Sequence, residues 1–504
     1  MSSCVPPSTN RPERPRRLSS KVASLLTFAA AAGVLVLEIA AGRLLAPYVG
    51  ISLTTYTGII GVILAGIAVG AWLGGRAADR VGPEPLIGPT LLAGGLAGMA
   101  SVPVVAAVGP VNPSGDLGSI VVLATIGFFA PAAILSAVAP MIVRAVIVDI
   151  RSSGALVGRL SAVGTAGAIT GTFLTGFFLL GVVPTRLLIL ATGGLLAVVG
   201  LLLTWWLSGR RGSAALGVAA LIAVGGLSAA LPNPCQRESR YYCIAVIPDA
   251  TDPSGRLLVL DNLWHAYVDL DDPAHLEFGY LRWFAAATAS LAAAEGGGFR
   301  ALHVGGGGFT FPRYLASIAP AGRHVILELD PAILALAREE LGFRPDERMD
   351  VVLGDARLTI AGQPDDAFDL VVGDAFGGLS VPWHLTTAEF LAEVDRVLRP
   401  DGRYVMNLID QQGLRFVRAE AATLRTRFEH VAVLGWAAVL ASSTGPANVV
   451  LVASHDDFAP SDLAEAIQSL GAAVIAGDPA LDTFVAGASV LTDDFAPVDQ
   501  LIGR

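Results

Sequence analysis

Charged side chains are scarce in this chain: they make up 15% of its 504 residues, where a chain surrounded by water carries about a quarter. So little charge excludes one large globular body in water and requires a second solvent for part of the chain. Positive charge is the scarcer sign. Lys and Arg total 33 against 43 Asp and Glu, a formal net charge of −10. Phosphate backbones are held by clustered cations, so no nucleic-acid partner is expected. Cysteines (3) and histidines (7) are few and show no metal-ligand spacing, so no metal site is expected. Internal repeats are absent.

What the chain has is apolar sequence, nearly all of its long runs before residue 232. Seven runs, 21–41, 54–75, 86–109, 118–143, 157–181, 187–207 and 214–231, each approach the ~20 residues that carry a helix across ~30 Å of hydrocarbon. They predict a multi-pass α-helical membrane domain over 21–231, behind a disordered basic tail at 1–20. The first run is long and lacks a small-residue cleavage site, unlike a signal peptide. The stretch from Leu117 to Ile150 is the least regular, because Pro131 and Pro140 offer a re-entrant element as the alternative to a span.

Arg11, Arg14, Arg16, Arg17 and Lys21 precede the first run, and alternate loops carry Arg76 and Arg80, Arg144 and Arg151, then Arg210 and Arg211. The other loops hold only Arg43 and Arg186. Positive charge stays inside, so a cell-membrane protein with a cytoplasmic N-terminus is expected, and seven spans put the C-terminal part outside. A cytosolic nucleotide ligand argues for the inside, so that side stays open. Gly66, Gly70 and Gly74, and again Gly167 and Gly171, form small-residue ridges that suit close helix packing in lipid. Glu38, an ionisable residue within a span, takes either a transport or ligand role or a structural pair. Gly74-Gly-Arg-Ala-Ala-Asp-Arg-Val-Gly82 resembles the signature loop of major-facilitator transporters, yet seven spans are too few for a twelve-span carrier.

Beyond residue 232 the pattern changes to alternating strands and helices. Strands are expected at 299–304, 323–328, 350–353, 368–373, 403–408, 431–436 and 448–453, with helices at 311–318, 331–341, 386–398 and 412–427. This predicts an α/β doubly wound, mainly parallel sheet over 291–504, whose ligand site lies beyond the C-terminal strand ends. Gly305, Gly306, Gly307 and Gly308 follow the first strand, where glycine lets backbone approach a ligand. Glu328 ends the second strand, placed for ribose hydroxyls. Asp355 and Ala356 follow the third, facing an adenine, and Asp374 ends the fourth beside the reaction centre. Such groups at successive strand ends predict an adenosyl ligand; taken singly, each acid is a helix N-cap or a solvated carboxylate.

These residues resemble spermidine synthase, the polyamine aminopropyltransferase built on a class I S-adenosylmethionine-dependent methyltransferase fold. Over roughly 25–455 the chain is similar to bacterial membrane-fused versions, through Leu37-Glu-Ile-Ala-Ala-Gly-Arg-Leu-Leu-Ala-Pro-Tyr-Val-Gly50 and Val157-Gly-Arg-Leu-Ser-Ala-Val-Gly-Thr-Ala-Gly-Ala-Ile169. Glu238-Ser-Arg-Tyr-Tyr242 through Leu258-Val-Leu-Asp-Asn262 resembles that family's small β-hairpin region, which with a linking helix occupies 232–290. The resemblance implies S-adenosylmethionine or its decarboxylated form as cosubstrate, a small-molecule amine acceptor such as a polyamine, ribose on Glu328, adenine on Asp355 and proton acceptance by Asp374. A homodimer is among the oligomeric states it leaves open.

The departures from the family fall on the polyamine half of the site. The acid after the third loop glycine is Gly308 here, and the second aspartate of the acidic loop is Gly377. The Tyr-His-Glu segment corresponds to Phe278-Gly-Tyr280, and a glutamine is replaced by His265. Tyr280, His265, Trp383 and His384 are the candidate acceptor-pocket residues, a buried aromatic and a loop histidine being the plain alternative for the last two. Three activities follow in order: aminopropyl or related transfer, methyl transfer, and transport with a non-catalytic adenosyl sensor. Cys235 and Cys243 flank the start of the second domain and would pair in an extracytoplasmic segment; two unrelated thiols is the preferred reading.

Overall fold

The computed structural model describes residues 18–111, 115–147, 153–208, 211–294, 299–411, 413–442 and 445–502. Most of the basic tail, Cys4, Arg151 and Arg210 therefore lie outside the described residues. The chain divides into two compact units, Met1–Asn233 and Pro234–Arg504.

The first unit is helical. Among the described residues, six helices are long and apolar enough to cross a membrane: Ser20–Val49, Leu53–Val81, Glu84–Val111, Leu117–Val146, Ser153–Gly181 and Thr185–Leu207. The seventh run forms the helix Arg211–Ala230, whose apolar part, Ala215–Ala230, is shorter than these. The stretch from Leu117 runs on as helix past Pro131 and Pro140: α-helix, a π-helical turn at Thr125–Phe129 and further α-helix follow one another to Val146. Pro131 has no N–H to give the Gly127 carbonyl, and the Ser101 hydroxyl donates to that carbonyl instead at 2.6 Å.

Glycines set the helix spacing. A Cβ on Gly70 would stand 1.9 Å from the Ala133 carbonyl oxygen, and one on Gly74 2.5 Å from that of Ala137. Gly167 and Gly171 meet the carbonyls of Phe28 and Ala32 in the same way. Both ridges are therefore helix-packing surfaces. Glu38 is half-buried in the first helix, five residues before the buried Arg43.

The second unit opens with a four-stranded antiparallel sheet in the order β1-β2-β3-β4: Arg237–Glu238, Cys243–Pro248, Gly255–Leu260 and Leu263–Asp269. The preference for free thiols is corrected here: Cys235 and Cys243 are disulfide-bonded, with Cα atoms 5.0 Å apart. The β1–β2 hairpin pairs Glu238 with Cys243 and so folds the preceding residues back along β2. Helix Gly279–Ala294 follows, fastened to the main sheet by the buried Trp283 and Phe284.

The main sheet has eight strands: β5 Arg300–Val304, β6 Arg323–Glu328, β7 Met349–Leu353, β8 Phe368–Gly373, β9 Leu398–Asp410, β10 His430–Trp436, β11 Ala447–Ser454 and β12 Ala472–Ala476. Their order is β12-β10-β11-β9-β8-β5-β6-β7. The pairs from β9 through β7 are parallel, as expected; β11, β10 and the unexpected β12 pair antiparallel at one edge. β8 is buried at every position, as a strand covered on both faces must be. The chain runs from β5 out to β6 and β7, then returns to β8 on the other side of β5. That reversal opens a crevice at the C-terminal ends of β5 and β8.

Candidate active site

At the crevice, β5 delivers the glycine loop and β8 delivers Asp374. The Asp374 N–H donates to the Val304 carbonyl at 2.9 Å, continuing the ladder one step past both strands. Gly305 has φ of +99°, and a Cβ there would stand 2.6 Å from the Asp374 carbonyl oxygen. Glycine is thus required twice over, for the left-handed backbone and for the approach.

The Asp374 carboxyl is held from two sides. Asn407, buried on β9, donates its side-chain amide to Oδ1 at 2.9 Å, and the Tyr280 hydroxyl donates to Oδ2 at 3.0 Å. Behind Asn407, the Asn448 amide on β11 donates to the Asn407 side-chain oxygen at 3.0 Å. Burial pushes the Asp374 carboxyl up to about 6, against the pull of the two donated bonds, which favour the anion. Burial and the neighbouring Asp374 hold the Tyr280 phenol well above its usual range, so it stays a donor.

A cavity of about 330 Å³ lies in front of Asp374, lined on one side by the glycine loop and on the other by β4 and the start of helix Gly279–Ala294. His265 and Tyr280 line it, as do Gly305, Gly306 and Gly307. Burial keeps the His265 imidazole down at about 4, hence neutral at pH 7. Trp383 and His384 are not among the residues that line this cavity. Trp383 is exposed, and His384 Nε2 sits 3.3 Å from the Asp355 carboxylate.

Glu328 is buried behind the glycine loop. Its carboxylate accepts the Gly306 N–H at 2.9 Å and the Asp330 N–H at 2.7 Å, while burial raises its pKa. Asp355 caps the short helix Ala356–Thr359 through the Arg357 N–H. Each acid thus has a structural partner at its strand end, and neither is among the residues that line the cavity.

Asn407, Asn448 and Tyr242 were not expected in the site. The Tyr242 hydroxyl donates to the Phe376 carbonyl at 2.8 Å and fastens the loop after Asp374. For Asn407 a signal exists: it is an amide inside the apolar strand Tyr404-Val-Met-Asn-Leu-Ile409, where a polar group needs a buried partner. Among the described residues no three His, Cys, Asp or Glu side chains gather as metal ligands do.

Residues 302–406 match the family described as a methyltransferase domain. Over 131 residues, 26% of this chain and 43% of the relative, the sequence is 32% identical to a polyamine aminopropyltransferase of Vibrio vulnificus. The second unit is spermidine synthase-like, on the class I methyltransferase fold. A probable spermidine synthase from Corynebacterium glutamicum is similar in structure to this chain, with a TM-score of 0.48 and 28% identity over 51% of this chain and 95% of that one. A shorter segment is 41% identical over 54 residues to an eEF1A lysine and N-terminal methyltransferase of Danio rerio, covering 11% of this chain and 8% of that protein. The chain spans less than half the length of these curated relatives.

Proposed function

We propose that the synthase-like unit is a transferase that moves an aminopropyl or related group from an S-adenosylmethionine-type donor to an amine. The observation that carries this reading is Asp374: a carboxyl with a pKa near 6, held by Tyr280 and Asn407, at the chain reversal where such sheets bind ligands. The residues fit the donor. Gly307, on a left-handed backbone with nothing within 4 Å of its Cβ position, leaves the loop open for a ligand, Glu328 stands behind the loop for a ribose, and Asp355 with Ala356 stands at the next strand end for an adenine.

When bound, such a donor supplies a carbon beside a sulfonium; that carbon bonds to the acceptor nitrogen as the carbon–sulfur electron pair passes to sulfur. This chain's residues manage the proton. Asp374 Oδ accepts it from the acceptor nitrogen, and its raised pKa makes that transfer easier near neutrality. Asn407 and Tyr280 fix the carboxylate plane toward the cavity, so that the amine meets it in one orientation.

Methyl transfer is the second reading, and one observation favours it. The cavity offers a single carboxylate among its described lining residues, whereas decarboxylated S-adenosylmethionine brings an ammonium that no carboxylate of its own offsets. Intact S-adenosylmethionine carries a zwitterionic tail that needs no net counter-charge. Titration of the full chain with the two donors decides between them: tighter binding of the decarboxylated form supports aminopropyl transfer, and the reverse supports methyl transfer. Asp374→Asn is expected to lower turnover about 10²- to 10⁴-fold while retaining donor binding, and unchanged turnover would remove Asp374 from the chemistry.

The six long apolar helices support a membrane-anchored enzyme. The loop arginines favour a cytoplasmic N-terminus. The Cys235–Cys243 bond adds weight to an oxidising, non-cytoplasmic side for the synthase-like unit, a side that requires the shorter helix Arg211–Ala230 to cross as a seventh span. Protease protection in sealed inverted vesicles tests this: the unit is expected to be shielded, and its digestion there places it in the cytoplasm.

A further inference from the structure

We infer that the acceptor is a monoamine with an apolar body, and that the cavity selects against diamines and polyamines. The inference deepens the transferase reading and rests on it for the place of the amine beside Asp374.

Charge is the first argument. Asp374 is the only carboxylate among the described residues that line the cavity. The two other titratable groups of ordinary acid–base range there are His265 and His303, and burial keeps both neutral, so neither supplies a counter-charge. The side-chain amides of Asn407 and Asn448 are engaged with Asp374 and with each other. One ammonium can pair with Asp374. A second, a few carbons away, would face Phe278, Leu281, Phe311 and Ile409 without a partner. A buried cation lacking a counter-ion is strongly disfavoured.

Space is the second argument. Gly308 stands where the loop turns toward β4, and a Cβ on it would lie 2.6 Å from the Ala266 Cβ and 3.1 Å from Val268. No acidic side chain fits there unless β4 moves. The want of a second carboxylate at Gly308 is thus built into the packing.

The apolar lining is the third argument. The ring nitrogens of His265 are shielded from the cavity, so this imidazole adds no polar group there that could pair a second cation. The aromatic and aliphatic walls suit the acceptor's carbon skeleton.

The test compares two ligands that differ by one charge. The full chain in detergent, saturated with 5′-methylthioadenosine, is titrated calorimetrically with butylamine and with butane-1,4-diamine. Butylamine is expected to bind at least tenfold more tightly, about 1.4 kcal/mol. Equal or tighter binding of the diamine overturns the inference, and so does binding of neither. Turnover separates this from the parent reading. If only the transferase reading fails, butylamine keeps its preference while no thioether product forms with either donor. If only this inference fails, thioether is released and butane-1,4-diamine is the better acceptor.

Discussion

Asn407 donates its side-chain amide to the Asp374 carboxylate at 2.9 Å, from the strand next to the one that Asp374 ends. The bond favours the anion and so opposes the burial that raises Asp374. The carboxylate is the form that accepts a proton, so the rate is expected to rise with pH through about 6 and then level. In Asn407→Leu the favouring bond is gone and the acid limb moves upward by about one to two pH units, since a bond to a charged group is worth roughly 1.5–3 kcal/mol. A pH–rate profile on both chains checks this; an unmoved limb would assign it to another group.

Buried histidines set a second pH dependence. His303 Nε2 and His324 Nδ1 lie 3.2 Å apart inside the sheet, and burial holds His324 down at about 4 and His303 well below the usual 6.5. The unfolded chain therefore binds more protons than the folded one between about pH 6.5 and 4. Stability present above 6.5 is lost as pH falls through that window. Asp374, raised to about 6, acts in the opposite sense over part of it, so the comparison must be made against a variant. His324→Asn is expected to flatten the fall of unfolding free energy, read by denaturant titration at pH 7.5 and 5.

The disulfide closes a short loop, with a sequence separation of 8. Loop-closure entropy for a ring this small comes to about 2.5 kcal/mol. Reduction is expected to destabilise the synthase-like unit by no more than that. Alkylation before reduction should modify Cys4 alone, with Cys235 and Cys243 reacting afterwards. Labelling of all three without reductant would show the pair to be open.

Two glycines in one helix separate packing from propensity. Gly70→Val drives a side chain into the Ala133 backbone and is expected to cost 1–3 kcal/mol or more. Gly61, with nothing within 4 Å of its Cβ position, is expected to accept alanine with unchanged or slightly higher stability. Thermal unfolding in detergent compares them, and equal melting of the two variants would remove the ridge as a close contact.

Much of this architecture is legible along the chain because it depends on local pattern. Apolar runs of membrane length follow from composition, and the β/α alternation with acids at strand ends follows from period and punctuation. Glu328, Asp355 and Asp374 can be placed at strand ends before any fold is known, since a strand followed by a polar residue and a helix fixes that address. The antiparallel edge was not legible, because β10, β11 and β12 differ from parallel strands only in whom they pair with.

What the amino-acid sequence determined by itself was which residues are helical, which are extended and which acid ends which strand, all properties of neighbours within a few positions. The tertiary structure alone decided that Tyr280, Asn407 and Asn448 converge on Asp374 from 94, 33 and 74 residues away, the last through Asn407. It also decided that His384 faces Asp355 and that Cys235 meets Cys243 across a hairpin. Those contacts depend on strand order and register, and hydrogen bonds formed at 3 Å between distant positions leave no periodicity in the chain.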